Sequence, residues 1–132
     1  PDRLAERLPT LRFLARDQAD IATQARRLQP AFGSVLGHAF DVTTGDCVSQ
    51  IGSGALPLDT LASAALIIRP RGSQSVLEAL ASALRDLPRP IIGRIGDGAL
   101  LLDLRCLDVA DETLLLESLA RLDSTRLVAP RP

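Results

Sequence analysis

The run IIGRIGDGALLLDLRCL, residues 91–107, constrains the fold more than any other stretch. Asp97-Gly98 stands between two alternating, strand-like segments. A two-residue hairpin turn needs positive φ at both central positions, and Asp-Gly supplies this at low cost. That register puts Ile91, Gly93 and Ile95 on one face with Leu100, Leu102 and Leu104. This face is expected to be core. The other carries Ile92, Arg94, Gly96, Ala99, Leu101, Asp103 and Arg105, and is expected to meet water, a partner domain or a site.

The remaining elements are read around this hairpin. Leu4, Leu8 and Leu11, interrupted by Pro9, read as a helical end and an irregular connection. Asp17 is expected to cap a helix whose buried side includes Ile21, Ala25 and Leu28. Pro30 should end or kink it, with a further turn or two before Gly37. Thr44-Gly45-Asp46 reads as a turn between two short strands. ASAALIIRP, residues 62–70, is a strand stopped by Pro70. SVLEALASALRDL, residues 75–87, is an amphipathic helix with Ser75 and Glu78 spaced as a capping box. Asp108 is expected to cap a last helix with Leu115, Leu119 and Leu122 inward. The order is a helix, then β-β-β-α-β-β-α. This predicts a small α/β domain of the α+β kind, with a mixed or antiparallel sheet and helices on one face. Residues 1–36 are read as linker and interdomain helices, 37–128 as the small domain and 129–132 as a disordered tail.

Composition excludes several functions. A formal charge of −1 creates no field for nucleic acid or anionic membrane. No apolar run reaches the roughly 18–20 residues of a membrane span. The chain starts at Pro1 with no visible leader, which suggests a fragment or a processed chain. Three Phe with no Trp or Tyr leave almost nothing for stacking nucleobases. Cys47 and Cys106 fit no metal spacing; both lie in strand-like runs, read as inert thiols, and suit a reducing, cytoplasmic setting. All fifteen basic residues are Arg, so no side chain can form an imine with a carbonyl cofactor. A single histidine, His38, leaves little room for a His-based triad or a multi-His metal site and is read as structural or surface.

Gly52-Ser53-Gly54 raises the question of a phosphate loop. Pro57 stands where the third glycine of such a loop would be, and the next periodicity is a strand rather than a helix. A bend or close backbone contact is the favoured reading, with Ser53 able to donate a hydrogen bond at an interdomain cleft. Arg94 is the charge that stands out. It either pairs diagonally with Asp103 or clamps an anionic phosphate.

At SQIGSGALPLDTLASAAL, residues 49–66, and LPRPIIGRIGDGALLLDLRCL, residues 87–107, the chain resembles the C-terminal part of bacterial selenocysteine synthase, the L-seryl-tRNA(Sec) selenium transferase family. RLPTLRFLARDQADIATQARRLQP, residues 7–30, resembles the linker after that enzyme's large domain. The likeness runs over residues 4–122. Ala62 departs from the family's usual Pro, and Gly96, Ala99 and Leu101 also differ from its pattern. The resemblance implies a domain like the C-terminal domain of aspartate-aminotransferase-like pyridoxal phosphate (PLP) enzymes. It implies a cytoplasmic homo-oligomer that converts seryl-tRNA(Sec) to selenocysteinyl-tRNA(Sec) with selenophosphate. The family's PLP lysine precedes the segment present here, so this piece would itself be non-catalytic. It would pack against the large PLP-binding domain, with Arg94, Ser53, Gly52 and Gly54 as substrate-proximal candidates. The small domain of a related PLP lyase or aldolase, and a free-standing α/β binding module, are the alternatives.

Overall fold

A computed structural model describes residues 15–50 and 60–122. The expectations for residues 1–14, for Gly52-Ser53-Gly54 and for the last four residues lie outside the described residues. The elements are α1 (Gln18–Leu36), β1 (Phe40–Gln50), β2 (Thr60–Pro70), α2 (Val76–Arg85), β3 (Arg94–Gly96), β4 (Ala99–Asp103), a 3-10 turn (Val109–Asp111) and α3 (Glu112–Leu119). The sheet order is β1-β2-β4-β3. Every pairing is antiparallel, so the mixed alternative is set aside.

The β3–β4 hairpin has the expected register. Arg94 lies opposite Leu101, Ile95 opposite Leu100, and Gly96 opposite Ala99. Asp97 and Gly98 take φ of 53° and 75°, the left-handed values this turn demands. Ile91, Leu100, Leu102 and Leu104 are buried as expected, but Ile95 is exposed. It lies on a three-residue edge strand beside the turn. Gly93 permits a close approach here: a Cβ on it would stand 2.9 Å from the Leu101 carbonyl oxygen.

The structure decides three local expectations. Thr44-Gly45-Asp46 is not a turn; it lies inside one strand whose eleven residues all pair with β2, from Phe40 with Pro70 to Gln50 with Thr60. Gly45 serves packing instead, since a Cβ there would come within 2.6 Å of Ile67 Cδ1. The order is therefore one strand shorter than expected. Of the two outcomes expected at Pro30, an end is not seen: α1 runs 19 residues to Leu36, and the further turns expected before Gly37 continue the same helix. Phe32 and Leu36, beyond the proline, are fully buried. Their burial, about 1.5–3 kcal/mol each, offsets a proline penalty of about 3 kcal/mol. Ser75 and Glu78 form no capping box: Ser75 is already helical and its side chain makes no cap bond. Its hydroxyl pairs with that of Ser73 at 2.9 Å.

Asp17 occupies the N-cap of α1 in extended conformation without a side-chain cap bond. Asp108 accepts from the Ala110 amide at 3.0 Å and so caps the 3-10 turn; α3 begins later. Leu119 is buried, and Leu115 and Leu122 pack against the core.

The core lies between the helices and one face of the sheet. Ile21, Leu28 and Phe32 of α1 and Leu80 and Leu84 of α2 meet Phe40, Val42, Leu66, Ile68, Leu100 and Leu102. Strand alternation places those sheet residues on a single face. The opposite face presents Cys47, Ser49, Ser63, Ile67, Arg94, Leu101 and Asp103. No described helix is long and apolar enough to cross a membrane.

Candidate functional site

The sheet face opposite the described helices carries the polar residues on which function can rest. Arg94 begins β3 and is exposed. Its Nη2 donates to the Val48 carbonyl at 2.8 Å. The expected pair with Asp103 is not made, although the diagonal register is as predicted. Asp103 is occupied elsewhere: Oδ2 accepts from the Ser49 hydroxyl, and Oδ1 accepts from the Ser63 hydroxyl at 2.6 Å and the Arg105 amide at 3.0 Å. The physical reason is the course of the β1–β2 ribbon. Beyond the four-stranded part it coils across this face, bringing two hydroxyls to Asp103 and a carbonyl to Arg94.

Cys47 lies within the same cluster and is half-buried. Burial pushes its thiol above the ordinary range, the Asp103 carboxylate adds to this, and Arg94 opposes it. The group therefore stays protonated near neutral pH and is a poor nucleophile. Cys106, by contrast, is exposed. It follows β4 instead of lying within a strand, because the sheet ladder stops at Asp103. His38 is exposed in the turn between α1 and β1.

A second network was not anticipated from the sequence. Arg16 Nη1 donates to the carbonyls of Leu104 at 2.9 Å, Arg105 at 2.8 Å and Leu107 at 2.8 Å. Arg105 reciprocates, donating to the Arg16 carbonyl at 2.9 Å and the Ala62 carbonyl at 2.5 Å. Burial, with Arg105 nearby, lowers the Arg16 pKa from its usual value. Gln24, 1% exposed, joins the two ends. Its Oε1 accepts from Arg16 at 2.6 Å, and its Nε2 donates to the Leu107 carbonyl and to Glu112, both at 3.0 Å. Arg27 holds Glu112 through two further bonds of 2.9 and 2.5 Å. One signal was available: Gln24 is a polar residue on the stripe marked by Ile21, Ala25 and Leu28. Arg105 gave none, since alternation put it on the mixed face while the structure buries it under the ribbon.

An apolar groove of about 300 Å³ lies on the helix side, lined by Phe32, Ile91, Ile92, Leu104 and Leu115 among others. It gathers no acid-base pair. Among the described residues no group of three or more His, Cys, Asp or Glu could hold a metal ion. Chemically, the sheet face opposite the described helices offers a guanidinium with N–H groups beyond its bond to Val48, beside hydroxyls already committed to a carboxylate. That arrangement can contact an anion; among the described residues it contains no nucleophile poised beside a base.

The family profile described as L-seryl-tRNA selenium transferase matches residues 1–108. The chain is 61% identical over 127 residues to the L-seryl-tRNA(Sec) selenium transferase of Methylocella silvestris, covering 96% of this chain and 27% of that relative. It is 55% identical over 123 residues to the enzyme of that name from Rhizobium meliloti, covering 91% of this chain and 25% of the relative. The Salmonella paratyphi B relative is 50% identical over 122 residues, covering 92% and 26%. The chain thus spans about a quarter of the length of the relatives it matches. With the profile running over most of its residues, the chain belongs to the L-seryl-tRNA selenium transferase family.

Proposed function

We propose that this chain is the C-terminal portion of a PLP-dependent L-seryl-tRNA(Sec) selenium transferase. That enzyme would convert seryl-tRNA(Sec) to selenocysteinyl-tRNA(Sec) with selenophosphate in the cytoplasm, as a homo-oligomer. The observation carrying the reading is 61% identity along 96% of the chain to a relative of that name, of which it covers 27%. Residues 37–128 would be the small domain, akin to the C-terminal domain of aminotransferase-like enzymes, and 1–36 the connection to a large domain. A four-stranded antiparallel sheet with helices on one face supports that likeness.

The residues present do not fit covalent attachment of PLP. The chain has no lysine, and a guanidinium does not replace an amine in that role. The cofactor and the chemical steps are therefore assigned to the remaining length of the longer protein. This portion would contribute packing and, through Arg94, an anion contact facing the substrate; Ser53, Gly52 and Gly54 would lie toward the same cleft.

The test uses two proteins. The longer protein should form selenocysteinyl-tRNA(Sec) from seryl-tRNA(Sec) and selenophosphate, and should lose this when residues 1–132 are deleted. The chain alone, mixed with pyridoxal phosphate and borohydride, should yield no reduced adduct on a side chain. Such an adduct, or turnover by the chain alone, would defeat the reading.

A further inference from the structure

We propose that Asp103 is a clasp that sets the direction of a two-stranded arm formed by residues 47–50 and 60–63, and so positions Arg94 and Cys47. The proposal goes beyond the assignment of a reaction and does not depend on it. The β2–β4 pairing runs only from Ala65–Asp103 to Ile68–Leu100, with one further bond from the Leu104 amide to the Ala64 carbonyl at 3.2 Å. Past that point β1 and β2 continue as a pair, Cys47 with Ser63 through Gln50 with Thr60. A two-stranded ribbon is marginal by itself in water, so its direction depends on side-chain ties.

Asp103 ties both strands at once. Ser49 comes from β1 and Ser63 from β2, and each hydroxyl donates to a different carboxylate oxygen. Ser63 is fully buried and Ser49 nearly so, which leaves water little chance to replace the acceptor. The Arg105 amide holds the carboxylate in place from its own strand's end. Other ties run to backbone oxygens: Arg94 to Val48, Arg105 to Ala62 at 2.5 Å, and Gln18 to Ser63 at 2.8 Å. Those depend on where the arm already lies. Among the described residues, only the Asp103 carboxylate is seen to join a side chain of each strand to β4. If the arm swings away, Arg94 loses the carbonyl that orients its guanidinium, and the Cys47 thiol loses its cover.

The two cysteines make this measurable in the full chain. Cys106 is exposed and serves as the internal reference, while Cys47 reports on the arm. Alkylation by iodoacetamide, resolved by peptide mass spectrometry, should proceed about tenfold faster at Cys47 in Asp103→Ala than in the parent chain, with Cys106 changed less than about twofold; because losing the Asp103 charge by itself favours the Cys47 thiolate, a faster Cys47 without faster amide exchange in the arm overturns the proposal. Amide exchange should rise at residues 47–49 and 61–63 and stay unchanged in β3 and β4. Unchanged Cys47 reactivity in a folded Asp103→Ala chain overturns the proposal. Should that variant unfold, Ser49→Ala decides: it removes one tie only, and a Cys47 rate no higher than the parent's overturns the proposal equally. A selective rise at Cys47 in Ser49→Ala supports it.

Discussion

Replacing Gln24 by leucine should destabilise the chain by about 2–3 kcal/mol, although leucine is apolar, similar in size and placed in a buried site. Gln24 makes three hydrogen bonds, to Arg16, the Leu107 carbonyl and Glu112. Two involve charged groups and one a backbone oxygen; together their loss amounts to about 3–5 kcal/mol, toward the low end because Arg16 and Glu112 are partly solvated. Apolar burial of the leucine returns about 1–2 kcal/mol. The net loss should lower the melting temperature by roughly 10 °C in a domain of this size. With no Trp or Tyr in the chain, unfolding is followed by far-ultraviolet circular dichroism in urea. The midpoint should fall by about 1–2 M with an unchanged slope. A double-mutant cycle with Arg16→Met should show coupling, because both side chains meet at one oxygen. A loss below about 0.5 kcal/mol, or additivity with Arg16→Met, would refute the claim that this network joins α1 to the β4–α3 connection.

Phe32→Ala removes the largest fully buried side chain of α1, just past Pro30, and should cost about 3–5 kcal/mol; urea titration checks it, and a loss under about 1 kcal/mol would mean the helix beyond the proline is not held by the core. The Glu112 carboxyl is held below its usual range by Arg27, with Gln24 assisting. Its stabilisation is therefore complete above the ordinary glutamate range and is lost as pH falls through the lowered folded value; Glu112→Gln should flatten stability against pH in that acid window, and an unchanged slope contradicts the pairing. In the longer protein, Arg94→Ala should lower turnover with seryl-tRNA(Sec) under the proposed anion contact; a fall in melting temperature with turnover intact would leave Arg94 as a tie to Val48 alone.

Local chemistry determined the parts whose answer lies within a few residues. Asp97-Gly98 could be read as a hairpin turn because both φ values follow from the residue types, and alternation then set the register of Arg94 and Asp103. The apolar spacing of α2 and the lack of any lysine were equally legible. The sequence did not determine whether Thr44-Gly45-Asp46 turns or stays extended, whether Pro30 breaks α1, or which partner Asp103 takes. Each of these is decided by groups distant in sequence: eleven cross-strand pairs, the burial of Phe32 and Leu36, and two serines carried onto Asp103 by the coiling ribbon. Local propensities of about a kilocalorie per mole give way when tertiary burial and buried hydrogen bonds contribute several times as much.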